Sequence, residues 1–116
     1  MVLGRKKAQM IAKAALEKKG EGVVILDMRG LVGWTDYFVI SSGSSSRQVK
    51  AIADEILGKL DHSKTRTPSV QGYTHGEWVL IDAGDAVAHI FIPEQRSFYD
   101  LEHLWGDAPR IIPPPV

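Results

Sequence analysis

Glu77-Trp78-Val79-Leu80-Ile81-Asp82, then Ala83-Gly84-Asp85, then Ala86-Val87-Ala88-His89-Ile90-Phe91-Ile92: two apolar runs flank three residues that contain a glycine. A connection of that length and composition between apolar runs predicts a β-hairpin. Side chains alternate along a strand, so Trp78, Leu80 and Asp82 should share one face of the sheet. Upstream, Val23-Val24-Ile25-Leu26 and Tyr37-Phe38-Val39-Ile40 are short continuous apolar runs, expected of strands buried on both faces. Asp27 to Asp36, with Gly30 and Gly33, is expected to be a loop.

Helical periodicity occurs three times. Leu3, Met10, Ile11, Ala14 and Ala15 recur at helical spacing among lysines and end at Gly20, which would serve as a left-handed cap. Val49, Ile52, Ala53, Ile56 and Leu60 form a second amphipathic pattern, with Ser45 and Gln48 at capping-box spacing. Pro93 ends the second hairpin strand. Ser97 and Asp100 then resemble a helix start, with Phe98, Leu101, Leu104 and Trp105 forming a stripe that should face the sheet. Residues 61–76 predict a loop around a short strand near Pro68 to Gln71. The order predicts an α/β fold, a single domain with a mixed sheet of about five strands and flanking helices. Residues 1–107 would form that domain, and residues 108–116 a Pro-rich, extended tail without packed structure.

At 116 residues the chain suits one domain. It has no cysteine, which removes disulfides, thiolate metal sites and cysteine nucleophiles, and fits a cytoplasmic location. No signal-peptide pattern is seen, and no apolar run approaches the roughly 20 residues that span a bilayer. Net charge is zero, which argues against a generic nucleic-acid binder. The charge is unevenly placed: residues 77–107 carry seven acidic residues against Arg96 alone. Such a segment would favour a basic partner, or would simply be a solvated acidic surface.

The chain carries few of the patterns that catalysis needs. His62, His75, His89 and His103 lack metal-ligand spacing. Mid-strand His89 is expected to be a hydrogen-bonded, partly buried side chain. Gly43-Ser44-Ser45-Ser46 between strand and helix could cradle a phosphate, but it lacks the Gly-Lys-Ser/Thr ending of a P-loop. A Gly-Ser pair opening a helix also suggests a nucleotidyltransferase, which needs clustered carboxylates for metal ions. Asp82 and Asp85, at the two ends of a turn, need not converge. No serine sits in a nucleophile elbow. The aromatic residues Trp78, Phe98, Tyr99 and Trp105 remain, all in the acidic third. Phe98 and Trp105 suit core packing, but Trp and Tyr are also favoured interface anchors, and composition does not separate the two readings. Tyr99 and Glu102 fall off the helix stripe, toward solvent or a partner.

Several stretches resemble the Iojap or ribosomal silencing factor family (RsfS-like). Thr35-Asp36-Tyr37-Phe38-Val39-Ile40-Ser41-Ser42-Gly43, continued by Ser45-Ser46-Arg47-Gln48-Val49, is similar to the family's central strand-to-helix segment. Trp78-Val79-Leu80-Ile81-Asp82-Ala83-Gly84-Asp85 with His89-Ile90-Phe91 resembles its hairpin, and Arg96-Ser97-Phe98-Tyr99-Asp100-Leu101-Glu102-His103-Leu104-Trp105 its terminal helix. The resemblance runs from residue 3 to about residue 107 and departs in small ways, with Ala83 and Ala88 smaller than the usual residues.

The resemblance implies a nucleotidyltransferase-like fold without the catalytic site, no enzyme activity and no cofactor. It implies a translational repressor that binds the large ribosomal subunit through ribosomal protein uL14. It would block joining of the small subunit under nutrient limitation, with little direct nucleic-acid contact. Alternatives are a degenerate nucleotidyltransferase-like enzyme or a large-subunit assembly factor, and a homodimer is compatible with a free sheet edge. The expected partner-binding residues are Trp78, Asp82, Tyr99, Glu102 and Trp105, with Tyr37 and Asp36 as weaker candidates. Arg47 and Gln48 are expected to fix the strand-to-helix turn.

Overall fold

The computed structural model describes residues 4–62 and 67–114. Leu3, the side chain of His62 and the last two residues of the Pro-rich tail, all named above, lie outside the described residues. The elements run α1 (Gly4–Glu17), β1 (Glu21–Asp27), β2 (Tyr37–Ser42), α2 (Ser46–His62), β3 (Ser69–Gln71), β4 (Trp78–Asp82) and β5 (Ala86–Phe91). They end with α3 (Pro93–Tyr99), α4 (Leu101–Leu104) and β6 (Arg110–Ile111).

The sheet has six strands in the order β3-β4-β5-β2-β1-β6, against the five expected. Only β2 and β5 pair in parallel; the other neighbours are antiparallel. These two central strands are buried along their whole length, as their uninterrupted apolar runs require. The hairpin forms as predicted. Asp82 pairs with Val87, Gly84 takes the left-handed conformation at φ 92°, and the Asp82 carboxylate accepts its amide proton at 2.9 Å. Trp78, Leu80 and Asp82 do share a face, with Val79 and Ile81 buried on the other.

The extra strand corrects the reading of the tail. Ala108 is buried, Asp27 donates its amide to the Pro109 carbonyl at 2.8 Å, and Arg110–Ile111 pairs with the β1 edge. Two residues have no periodicity to detect; what holds them is the unpaired edge they meet.

Two cores lie on opposite faces of the sheet. On one, α1 and α2 cover Ile25, Val39, Val79, Ile81, Ala88 and Ile90. On the other, Leu26, Met28, Phe38, Ile40, Val87, Phe91 and Ala108 form a smaller cluster. There the cover is thinner: Leu101 and Trp105, with Val24, Val32, Trp78 and Leu80 packed at its margin.

The start of α2 follows from its sequence. The Ser45 hydroxyl accepts the Gln48 amide proton at 3.2 Å, while the Gln48 side-chain oxygen accepts from the Ser44 amide at 2.6 Å and the Ser44 hydroxyl at 2.7 Å. Its Nε2 donates to the Lys18 and Lys19 carbonyls, tying α1 to α2. Gln48 thus has the structural part expected of it, whereas Arg47 is exposed. At the end of α1 the left-handed residue is Lys19, at φ 61°, rather than Gly20. Gly20 is needed for space: a Cβ there would lie 2.8 Å from the Ala15 carbonyl oxygen.

Candidate protein-interaction face

The cross-strand register brings the rings of the second face together. Trp78 pairs opposite Phe91, and His89 sits between Leu80 and Ile40. Ring centroids then run as a connected row. Trp34 lies 5.6 Å from Phe38, Phe38 lies 4.6 Å from His89, and His89 lies 5.9 Å from Trp78. Trp78 lies 4.5 Å from Tyr99, and Tyr99 lies 5.1 Å from Phe98. Phe38 and His89 are buried in the middle of the row, while its ends emerge, with Trp34 57% and Phe98 79% exposed. Tilted and edge-to-face rings add modest stability to that of their area.

His89 anchors the row. Its Nδ1 accepts the Trp78 indole N–H at 3.2 Å, which makes Nε2 the protonated nitrogen of the neutral ring. Nε2 is buried without a hydrogen-bond partner among the described residues. Burial pushes the His89 pKa down to about 4, so the ring is neutral at pH 7. The expected partly buried histidine is therefore deeply buried and bonded at one nitrogen only.

The last helix departs most from expectation. It begins at Pro93, where a missing N–H costs nothing, and not near Ser97. At Asp100 the backbone turns left-handed (φ 48°) and divides the predicted helix into α3 and α4. This break rotates the stripe: Leu101 and Trp105 reach the second core, but Phe98 and Leu104, expected to face the sheet, are 79% and 67% exposed. Arg96 holds the pair of short helices in place. Its guanidinium donates to the Ser42 hydroxyl at 2.9 Å, the Glu21 and Gly22 carbonyls at 3.2 and 2.7 Å, and Glu102 Oε1 at 2.8 Å.

The expected contact residues occupy different environments. Trp78 is half-buried, stacked on Phe91 at 5.0 Å, and borders a shallow cleft of about 220 Å³ with Gln71, Gly72 and Leu80. Tyr99 is exposed beside it. Asp82 lies half-buried on the same face, its carboxylate engaged in the hairpin turn. Trp105 is half-buried, edge-on to Phe38 at 6.5 Å. Glu102, expected to point to solvent or a partner, is paired with Arg96 and approaches Arg110 at 3.8 Å. Asp36 is exposed in the loop before β2. Tyr37 stands apart: it is 3% exposed and packs in the core beneath α1 and α2, on the opposite face from Trp78.

Sequence reasoning passed over Trp34 and Leu31. Both lie in the loop with Gly30 and Gly33, where no strand or helix periodicity marks them, and both remain exposed.

The enzymatic features stay apart. Asp82 serves its turn, while Asp85 pairs with Lys7 at 2.8 Å. Among the described residues no group of three His, Asp or Glu is placed to hold a metal ion. Around Gly43, the Ser44, Gln48 and Val49 amides are taken by Gln48, the Ser45 hydroxyl and the Ser45 carbonyl. No described helix is long and apolar enough to cross a membrane.

Comparison with known proteins agrees with this architecture. Residues 4–115 match the family model "Ribosomal silencing factor during starvation". The ribosomal silencing factor RsfS of Bacillus subtilis is 43% identical over 92% of this chain and 92% of its own length. The chloroplastic protein Iojap of Zea mays is 39% identical over 90% of this chain, which spans 45% of that longer protein. A crystal structure of a Chromobacterium violaceum protein superposes with a TM-score of 0.87 at 34% identity, covering 90% of this chain and 88% of that one. The chain therefore belongs to the RsfS/Iojap family of ribosomal silencing factors, regulators of translation that are generally not enzymes.

Proposed function

We propose that this protein binds the large ribosomal subunit through ribosomal protein uL14 and stops the small subunit from joining by occupying its docking surface, lowering translation when nutrients are short. The observation that carries the reading is the aromatic row with exposed ends on the thinly covered sheet face. Tyr99 and Trp78 supply large, rigid area at one end, beside a shallow cleft, and the surrounding segment is acidic. Aromatic anchors of this type dominate binding energy at interfaces, and acidic groups speed encounter with a basic protein. Steric exclusion needs no bond-making group. Trp78, Tyr99 and Trp105 are the proposed anchors. Asp82 and Asp36 contribute charge, Glu102 shapes the surface through Arg96, and Tyr37 acts only from within the core.

Sedimentation of purified subunits tests this. Wild-type protein should travel with the large subunit and leave subunits unjoined under joining conditions. Tyr99→Ala should weaken large-subunit binding by about thirtyfold, the effect of losing about 2 kcal/mol at a hot spot, with thermal stability nearly kept. Subunits that join equally well with the protein in excess would overturn the reading.

A further inference from the structure

The neutral total charge conceals a segregation by face. Exposed Arg5, Lys6, Lys13, Lys18 and Lys19 belong to α1 or its end, on the side of the sheet away from the aromatic row. Lys6, Gln9 and Lys13 of α1 face Lys59 of α2 across a groove of about 450 Å³, to which Met10 and Pro114 add apolar surface. Glu17, also in the groove, is met by Lys59 at 3.9 Å, and Lys59 also approaches Glu55 at 3.8 Å. Lys6 and Lys13 have no carboxylate partner among the described residues.

The charges at the start of α1 oppose the helix. The first turn of α1 contains Arg5, Lys6 and Lys7 and no acidic residue. Cations at a helix N-terminus meet the positive end of the dipole, so this pattern is locally unfavourable. Lys7 is compensated by Asp85 and by the Ala83 carbonyl, which accepts from it at 2.9 Å. Among the described residues no group compensates Lys6 in the same way.

We infer that this α1–α2 groove binds the phosphate backbone of RNA, with Lys6 and Lys13 as the contacting cations and Gln9 between them as a hydrogen-bonding group for phosphate or ribose. Seven residues separate the two lysines, two helical turns or about 10 Å, so both can lie along one backbone strand. Lysine is a flexible point charge that suits phosphate without specifying sequence. A tightly held acidic peptide would need aromatic anchors, and no aromatic residue lines this groove. An anionic membrane would need more apolar surface than Met10 and Pro114 provide. The inference is independent of the proposed contact with uL14, because it uses none of the same residues.

The test is binding of the full-length protein to a fluorescently labelled RNA hairpin across a salt series. Wild type should bind with a steep salt dependence. The double variant Lys6→Gln/Lys13→Gln should lose about 1.5 from the log–log salt slope and bind about tenfold or more weakly near 50 mM salt. Its melting temperature should equal or exceed that of wild type, since Lys6 no longer opposes the dipole and Lys13 makes no ion pair among the described residues. Phe98→Ser should leave RNA binding unchanged. No binding by wild type, equal binding by the double variant, loss with Phe98→Ser, or equal displacement by polyglutamate would each overturn the inference. A double variant that loses RNA but still sediments with large subunits separates the two faces.

Discussion

The two faces of the sheet are built from the same strands but finished differently. Ile25, Val39, Ile81 and Ile90 point to the side closed by α1 and α2, and all are essentially without exposed surface. Leu26, Phe38, His89 and Trp78 point the other way, toward two short helices stapled by one arginine. The closed face uses aliphatic side chains that interdigitate under long helices. The open face uses rings that support one another edge to edge and can stay partly wet. Stability is thus concentrated on the closed face, while the proposed ribosome contact uses the open one, which predicts that substitutions should separate along the same line.

The sharpest probe of the closed face is Ile90→Ala. It removes a fully buried side chain in the middle of a central strand and should cost about 4 kcal/mol, seen as a large fall in melting temperature. A loss below about 1 kcal/mol would mean that this core is not tightly packed.

His89 offers a pH test of the open face. Its pKa is about 4 in the fold, below the ordinary 6.5, so the unfolded chain binds the extra proton first. The stability it contributes is complete above pH 6.5 and is lost as pH falls toward 4, about 3 kcal/mol in all. Protonation also destroys the acceptor for the Trp78 indole. Asp27, held below its ordinary pKa chiefly by its hydrogen bond to Arg29, acts in a lower window, losing its contribution only as pH drops below 3.8. Denaturant titrations from pH 7 to 4 should show the decline in wild type and a flatter profile in His89→Gln.

Arg96→Lys keeps the charge and removes the fork that reaches Ser42, Glu21, Gly22 and Glu102 together. A loss of about 2 kcal/mol is expected, with faster amide exchange confined to residues 93–105. Uniform exchange across the sheet would show that the stapled segment is not a separate unit. The smallest effect is expected of Phe98→Ser. This exposed ring should change stability by less than about 0.5 kcal/mol, so any loss of large-subunit binding would belong to the surface itself.

Much of the fold was legible because the local signals agree with one another. Ser45 and Gln48 stand at capping distance, Gly84 sits in a short turn, and β2 and β5 are apolar without interruption. The candidate site was legible in its residue types, since Trp78 and Tyr99 do come together. Its shape was not. The stripe Phe98, Leu101, Leu104, Trp105 assumes an unbroken helix, and nothing at Asp100 announces a left-handed residue, because aspartate is also an ordinary helix-start residue.

The sequence alone determined the two long helices and the strands β1, β2, β4 and β5, that the central strands are buried, and that aromatic residues and carboxylates gather in the last third of the chain. These are consequences of periodicity and composition, which act over a few neighbours. Only the tertiary structure decided that Tyr37 lies beneath the helices while Phe38 joins the aromatic row, that Arg96 binds main chain some 75 residues away, and that Arg110–Ile111 completes the sheet. Each depends on which strand lies beside which, and on the direction its side chains then point; pairing over such separations leaves no periodic trace in the chain.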